Sequence, residues 1–195
     1  MARADCIERN TNETQIRIDL NLDGSGLSDI ETGIGFFDHM LTHLAKHSLM
    51  DLSVKCKGDL EVDAHHTVED IGIAIGKLIA TCVGDKAGMV RYGSAVVPMD
   101  ESLVMTALDI SGRGCLVYGL EIDKEMVGQF DTELTQEFFK SLCNNAGINA
   151  HIRQLDGGNA HHIIEAAFKS FARALREAIS IDPKIQGVPS TKGTL

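Results

Sequence analysis

The same group of potential metal ligands occurs twice in this sequence. The segments 65–69 and 161–165 both read His-His-x-x-Glu, and they lie 96 positions apart. On a helix, residues three or four positions apart share a face. Glu69 therefore lies beside both His65 and His66, whereas the two adjacent histidines diverge. One such motif suits two metal ions, or one ion and a bound ligand.

Imidazole nitrogens combined with carboxylates suit divalent ions such as Mn, Fe, Co or Zn, and two carboxylates with six-fold coordination favour Mn. A single copy of the motif has a plainer interpretation as a solvated helix start, where glutamate interacts with the positive end of the helix dipole. Two copies at matching positions argue against that interpretation. A duplicated scaffold keeps its fold without keeping two histidine pairs.

Four further histidines deserve comparison with the repeated motif. His39 stands at a predicted helix start, and His151 is predicted on a strand, on the face opposite its apolar residues. His43 and His47 follow His39 at intervals of four and form a stripe beside the apolar one. For His43 an exposed helix position is favoured. His47 is near the helix end, where capping by a cation and a catalytic role are both open.

Several cations and hydroxyls are suited to a phosphate group. Ser190 and Lys192 belong to the sequence Pro-Ser-Thr-Lys-Gly near the end of the chain, which is a possible anion loop or simply a polar tail. Arg91 and Arg113 stand in turns flanked by glycine, where arginine can hold phosphate through two hydrogen bonds or form an ordinary surface ion pair. Lys169 follows Glu165 by one helical turn, which suggests an anionic substrate beside the metal motif.

Hydrophobic periodicity predicts the elements that carry these residues. Alternating apolar residues predict strands over 16–22, 50–56, 92–98, 102–110, 114–120 and 148–152. A helical period predicts helices that begin just after Gly35 and that cover 64–82, 134–142 and 164–179.

The order of these elements repeats. Apolar positions of the helix at 64–82 match those of the last helix at the same offset as the two histidine motifs. We therefore expect an α+β protein made of a duplicated strand-strand-helix-strand-helix (ββαβα) unit, with residues 1–87 as the first half and residues 88–195 as the second. No proline-rich or serine-rich linker separates them, so the halves are predicted to form one body.

Composition narrows the class of protein. The net charge of −10 argues against nucleic acid or an anionic membrane as the main partner. The longest apolar stretch is too short to cross a membrane, and no signal peptide is recognisable at the start. Five cysteines without a CxxC pair indicate a reducing compartment, so we expect a cytoplasmic protein. Nucleotide-binding glycine motifs are absent from the sequence.

Taken together, the motifs resemble one family, the imidazoleglycerol-phosphate dehydratases. The resemblance runs from about Arg9 to Gly193. Gly114-Cys115 departs from the usual sequence after Ser-Gly-Arg, and His43 occupies a position where the family accepts other residues. The matching segments are ETGIGFFDHML (31–41), DAHHTVED (63–70), VPMDE (97–101), NAHHIIE (159–165) and PSTKG (189–193).

The resemblance implies a fold, a metal content and an assembly. The implied fold is ribosomal protein S5 domain 2-like, with two four-stranded mixed sheets and helices packed between them. The implied assembly is a hollow homo-oligomer of 24 subunits built from trimers, with active sites at subunit interfaces. Two Mn ions per active site are implied, and the implied ligands are His39, His65, His66, Glu69, His151, His161, His162 and Glu165.

The implied substrate is a small phosphorylated imidazole diol, from which the enzyme removes water. A metal on a ring nitrogen eases deprotonation of the ring, and the ring then helps to expel the neighbouring hydroxyl. The reaction needs an acid and a base, for which Glu13 is the first candidate and His47 and Asp100 are the next. The residues implied to contact the substrate are Glu13, His39, His47, Arg91, Arg113, Lys169, Ser190 and Lys192.

Two other functions use the same residue types. A dinuclear metal hydrolase would activate water and would need no imidazole ring in its substrate. A non-catalytic metal-storage assembly would use the carboxylates and histidines without the Pro-Ser-Thr-Lys-Gly segment. Removal of that segment separates metal storage from a phosphate-binding enzyme, because storage survives the truncation and the enzyme fails.

Overall fold

The computed structural model describes residues 3–195, which form ten strands and four helices. The elements of the first half are β1 (Ala4–Asn10), β2 (Thr14–Asn21), β3 (Ser28–Glu31), α1 (Gly35–Ser48), β4 (Asp51–Gly58) and α2 (His65–Val83). Those of the second half are β5 (Tyr92–Met99), β6 (Ser102–Asp109), β7 (Cys115–Gly119), β8 (Met126–Val127), β9 (Phe130–Asp131), α3 (Leu134–Ala146), β10 (Asn149–Asp156) and α4 (Ala160–Ala178).

The two large sheets have the same topology. The first has the strand order β1-β2-β4-β3 and the second β5-β6-β10-β7. In each, the two pairs nearest the first strand are antiparallel, and the last pair is parallel. This equivalence confirms the predicted duplicated α+β fold. Each half also has a third strand before its first helix, namely β3 and β7, so the repeated unit is one strand longer than the predicted ββαβα.

The predicted elements have the expected faces. In β2, the side chains of Ile16, Ile18 and Leu20 are buried, and the intervening polar residues are exposed. The unpredicted strands β1 and β3 lie at the two edges of the first sheet. Their residues are largely exposed, so they lack the apolar alternation from which a strand is recognised.

The helices fill the space between the sheets and pair across the two halves. Helix α2 packs on the first sheet and α4 on the second, while α1 contacts α4 and α3 contacts α2. Gly72 and Gly76 permit the close approach of α2 to α3, because a Cβ on Gly76 would lie 2.6 Å from the Leu142 carbonyl oxygen. This pairing across the halves places α1, which carries His39 and His43, beside the second His-His-x-x-Glu motif on α4. Within residues 3–195, helices are too short or too polar to span a membrane.

Candidate active site

The second His-His-x-x-Glu motif occupies the first turns of α4. The Asn159 side-chain oxygen caps this helix and accepts hydrogen bonds from the backbone N–H groups of His161, at 3.0 Å, and His162, at 3.3 Å. These groups have no partner inside the helix, so the asparagine cap fixes where the helix begins. Both histidine side chains are thereby held at a defined helix start.

Glu165 is the centre of a cluster of cationic and imidazole groups. Its side chain is buried, and its Oε2 lies 3.2 Å from the Nε2 atoms of both His39 and His161. Its Oε1 lies 3.3 Å from His43 Nε2 and accepts a hydrogen bond from Lys169 Nζ at 2.5 Å. Ligand atoms of His39, His43 and Glu165 all lie within 4.8 Å of one another, so one metal ion can reach all three.

The surroundings of Glu165 decide its charge. Burial acts to raise its pKa, but the hydrogen bond from Lys169 and the nearby histidines outweigh burial and lower the pKa to about 2. Burial lowers the pKa of His43 to about 4. At neutral pH the cluster therefore contains a carboxylate and a neutral His43 ring, which are the protonation states that bind a divalent metal.

The contact between α1 and α4 brings these histidines to Glu165. The Phe36 ring packs edge-on against His161 with 5.1 Å between ring centroids. His43 differs from its predicted exposed position, since only 18% of its side chain is exposed. His43 and His47 are partly buried, whereas His39, the first histidine of the stripe, is 49% exposed. His47 stacks on His43 at 5.6 Å, and burial lowers its pKa, which disfavours the capping-cation interpretation.

The first motif lies in a different set of contacts at the start of α2. His65 Nε2 is 3.8 Å from Glu69 Oε2, as expected for residues one helical turn apart. His66 Nδ1 is 2.9 Å from Asp59 Oδ2, and His66 Nε2 is 3.7 Å from Glu13 Oε1. Glu13 stands in the turn between β1 and β2, so this acid–base candidate faces a predicted metal ligand.

His162 has the same arrangement of carboxylates as His66. Its Nδ1 lies 2.8 Å from Glu101 Oε2, and its Nε2 lies 3.6 Å from Asp100 Oδ2. The hydrogen bond from His162 lowers the pKa of Glu101 to about 2. Asp100 has a positive φ of 49°, in the turn between β5 and β6. Aspartate tolerates this left-handed conformation better than most residues.

The predicted metal ligands do not gather into one site within a single chain. His39, His161 and Glu165 meet, whereas the first motif contacts Glu13 and Asp59 instead. His151 is exposed on β10, opposite Ala107 of β6, and contacts neither group among the residues described. The predicted ligands thus form two separate groups and one isolated histidine.

A cleft of about 580 Å³ brings together four of the predicted substrate-binding residues. Arg91 is fixed in it by hydrogen bonds to the Asp109 carboxylate, at 2.7 and 3.1 Å, and to the Pro189 carbonyl oxygen, at 2.8 Å. Lys169, by contrast, lies in the Glu165 cluster. The predicted residues that line the cleft are Arg91, Arg113, Ser190 and Lys192.

Asp59 and Glu101 are the site residues that the sequence did not single out. Asp59 lies in the loop after β4, and Glu101 lies in a turn next to the predicted Asp100. Asp59 is 7 positions and Glu101 is 61 positions from the histidine that it contacts, and neither separation indicates a contact in sequence. The only available signal was the position of Glu101 inside a segment shared with the family.

Comparisons with known proteins agree with this fold and show the family. The family model for imidazoleglycerol-phosphate dehydratase matches residues 32–175. The chain is 60% identical over 188 residues to imidazoleglycerol-phosphate dehydratase of Heliobacterium modesticaldum, covering 96% of each chain. It is 54% identical to that of Moorella thermoacetica over the full length of both.

Solved structures give the same result. The crystal structure of imidazoleglycerol-phosphate dehydratase from Staphylococcus aureus superposes with a TM-score of 0.84 at 43% identity, over 92% of this chain and 99% of that one. The Pyrococcus furiosus structure gives a TM-score of 0.83 at 35% identity, over 97% and 100%. The family match and the named relatives place the chain in the class of hydro-lyases. More particularly, the chain belongs to the imidazoleglycerol-phosphate dehydratase family.

Proposed function

We propose that this chain removes water from imidazoleglycerol phosphate, giving imidazole acetol phosphate in histidine biosynthesis. The observation that carries the proposal is the meeting of His39, His161 and Glu165 in a member of this family. The hydrolase and storage alternatives are not favoured, because all the compared relatives named above are dehydratases.

The donor atoms of the chain fit divalent metal ions. His39 and His161 each place Nε2 3.2 Å from Glu165 Oε2, and two imidazole nitrogens with one carboxylate suit Mn, Fe, Co or Zn. We propose Mn as the ion, with two per active site. When bound, Mn would supply positive charge beside the substrate's imidazole ring and so make a ring proton easier to remove. The proposed ligands are His39, His65, His66, Glu69, His151, His161, His162 and Glu165.

The carboxylates beside the motifs are suited to proton transfer. Glu13 is our first candidate for the group that protonates the leaving hydroxyl and accepts the C–H proton, since it is 3.7 Å from His66 and stands in an accessible turn. Asp100 has the equivalent relationship to His162, and the His47 ring is neutral at pH 7 because its pKa is lowered. These two remain the second candidates.

The phosphate is proposed to bind in the cleft of Arg91, Arg113, Ser190 and Lys192. Two guanidinium groups, an ammonium and a hydroxyl supply the donors that a dianionic phosphate needs. Such a fixed phosphate would orient the diol relative to the acid–base group. Lys169 is proposed to contact the substrate from the metal side.

Distance along α4 supports completion of each active site by another subunit. The backbone N–H of Arg91 donates to the Ala178 carbonyl oxygen, so the phosphate cleft lies at the C-terminal end of α4. Glu165 lies 13 residues earlier, or about 20 Å along the helix at 1.5 Å per residue. A small substrate cannot bridge that separation within one chain. The implied 24-subunit assembly of trimers, with sites at subunit interfaces, remains our proposal.

We also propose a cytoplasmic location. Its support is chemical, because the five cysteines are all unpaired in the part of the chain that the structure describes. Unpaired thiols are typical of a reducing compartment.

The decisive experiment measures dehydration of imidazoleglycerol phosphate by metal-stripped protein before and after Mn is added. We expect no turnover without metal and recovery with Mn. Dehydration that is absent with every divalent metal, while Mn still binds, would overturn the proposal and favour the alternatives. Truncation after Val188 separates metal storage from a phosphate-binding enzyme, because metal storage would survive the loss of Ser190 and Lys192 and the enzyme would not.

A further inference from the structure

We infer that Asp59 and Glu101 are positioning residues, each of which orients the second histidine of one His-His-x-x-Glu motif for metal binding. The inference deepens the proposed function and rests on it, because it assumes that His66 and His162 bind metal. Neither carboxylate needs to touch the metal or the substrate for this role.

Both contacts have nearly the same geometry. Asp59 Oδ2 is 2.9 Å from His66 Nδ1, and Glu101 Oε2 is 2.8 Å from His162 Nδ1. These are hydrogen-bond distances, so each Nδ1–H donates to a carboxylate oxygen. The proton is thereby kept on Nδ1, and Nε2 keeps its lone pair for a metal.

The Nε2 atom of each ring faces a carboxylate that is an acid–base candidate. His66 Nε2 lies 3.7 Å from Glu13, and His162 Nε2 lies 3.6 Å from Asp100. Both separations are longer than a hydrogen bond, so Nε2 makes no strong contact with these carboxylates. In each motif, one carboxylate therefore accepts a hydrogen bond from Nδ1 of the ring, and Nε2 faces an acid–base candidate.

The Glu101 carboxylate is held by hydrogen bonds of its own, whereas Asp59 is held through its backbone and by partial burial. Glu101 Oε1 accepts hydrogen bonds from the Asn159 backbone N–H at 3.1 Å and from the Ser102 hydroxyl at 3.0 Å. The Asp59 backbone N–H donates to the Glu13 carbonyl oxygen at 3.1 Å, and only 19% of the Asp59 side chain is exposed. A fixed acceptor orients an imidazole better than a mobile one, since less freedom is lost on metal binding.

The two contacts come from different places in the duplicated fold. Asp59 lies in the loop between β4 and α2, whereas Glu101 lies in the turn between β5 and β6. The turn that corresponds to the second of these in the first half contains Glu13 instead. The shared scaffold alone does not produce the contact twice. A common requirement of the two histidines accounts for it.

The experiment titrates Mn into the metal-stripped full-length protein and measures free Mn by electron paramagnetic resonance. Glu101→Ala and Asp59→Ala are expected to weaken Mn binding about 10-fold to 100-fold. Glu101→Gln and Asp59→Asn are expected to lose less, because an amide oxygen still accepts from Nδ1–H. His162→Ala serves as the reference for loss of a ligand. Glu61→Gln, an exposed residue of the same loop as Asp59, controls for lost charge.

The outcomes separate the positioning role of the two carboxylates from the proposed metal binding. Unchanged Mn affinity in Glu101→Ala, with a clear loss in His162→Ala, overturns the positioning role and leaves the metal site intact. Unchanged Mn affinity in both Glu101→Ala and His162→Ala contradicts the proposed metal binding itself. Equal losses in the alanine and amide variants also overturn positioning, because charge alone would then explain them. Glu101 is exposed, so its variants keep the inference testable even if Asp59→Ala fails to fold.

Discussion

His39 and Glu165 are 126 positions apart in the sequence, yet His39 Nε2 lies 3.2 Å from Glu165 Oε2. The contact joins α1 of the first half to α4 of the second. Because the two residues come from different halves of a duplicated fold, the cluster depends on how the halves pack.

Lys169 is expected to stabilise the chain through the buried Glu165. Lys169→Met removes the hydrogen bond of 2.5 Å and leaves a buried carboxylate with imidazole partners only. We expect the free energy of unfolding of metal-stripped protein at pH 7 to fall by about 2–4 kcal/mol. Denaturant unfolding measures it. Lys140→Met breaks an exposed pair with Glu137 and should cost less than about 0.5 kcal/mol. Similar losses in both variants would contradict the prediction.

Arg113 is expected to contribute more to phosphate binding than its exposed position suggests. Arg91 already donates to Asp109 and Pro189, whereas the Arg113 guanidinium has no side-chain partner within residues 3–195. We expect Arg113→Ala to raise KM for imidazoleglycerol phosphate about 10-fold to 100-fold, with a smaller change in kcat. Steady-state kinetics test this.

The control for Arg113 is another exposed arginine. Arg17→Ala removes a cation from β2 that is paired with Glu8, and it should leave KM unchanged. Arg113→Lys should recover part of the loss, because lysine keeps the charge but not the planar pair of donors. An unchanged KM in Arg113→Ala would exclude the cleft as the phosphate site.

Asp51 is expected to make the free energy of unfolding depend on pH, and it lies apart from the proposed metal ligands. Its Oδ1 accepts hydrogen bonds from the backbone N–H groups of Ser25, at 2.8 Å, and Leu27, at 2.9 Å, and these lower its pKa below the usual 3.8. A lowered carboxyl pKa stabilises the fold above the unfolded pKa, and that stability is lost as pH falls through the folded pKa. Asp51→Asn should therefore cost about 1 kcal/mol at pH 7.

The pH profile of the difference is the measurement. Unfolding free energies of Asp51→Asn and the parent chain should begin to converge as pH falls below about 3.8, and should meet only below the still lower folded pKa, where the Asp51 carboxyl is protonated in both states. Glu61→Gln should show no such convergence, because Glu61 is exposed and accepts no hydrogen bond in the described part of the chain. A constant Asp51 difference down to low pH would refute the assignment.

Gly76 is expected to be needed for helix packing. An alanine Cβ there would lie 2.6 Å from the Leu142 carbonyl oxygen, which is backbone of α3 and cannot rotate away. We expect Gly76→Ala to lower the free energy of unfolding by about 1–3 kcal/mol. In Gly35→Ala, the Cβ meets nothing within 4 Å, so stability should be unchanged or slightly higher. Thermal unfolding distinguishes the two, and an equally stable Gly76→Ala would show that α2 and α3 can separate.

Much of the fold was predictable because its signals are local. The alternation in β2 and the helical period of α4 follow from burial of one face, and the repeat follows from comparing the two histidine motifs. The edge strands β1 and β3 were not predictable, since pairing with a neighbour rather than side-chain burial makes them strands.

The site was predictable in its residues but only partly in its contacts. The family segments contain Glu165 and His39, whose contact depends on helix packing. His43 was expected to be exposed because its spacing places it beside the apolar stripe, and the missing information was that α4 covers that face. The contacts of Asp59 and Glu101 were not predictable, because they depend on the paths of loops and not on a helical or strand period.

The pairing of α1 with α4 and of α2 with α3 makes the boundary between the halves a helix–helix interface, as in a dimer whose two protomers are fused end to end. Each half has a sheet covered by one helix, and its other helix packs between its own sheet and the covering helix of the other half. Neither half therefore has a complete hydrophobic core of its own. Unfolding is expected to be a single cooperative event, in which damage to one sheet dismantles the ligand cluster formed on the other.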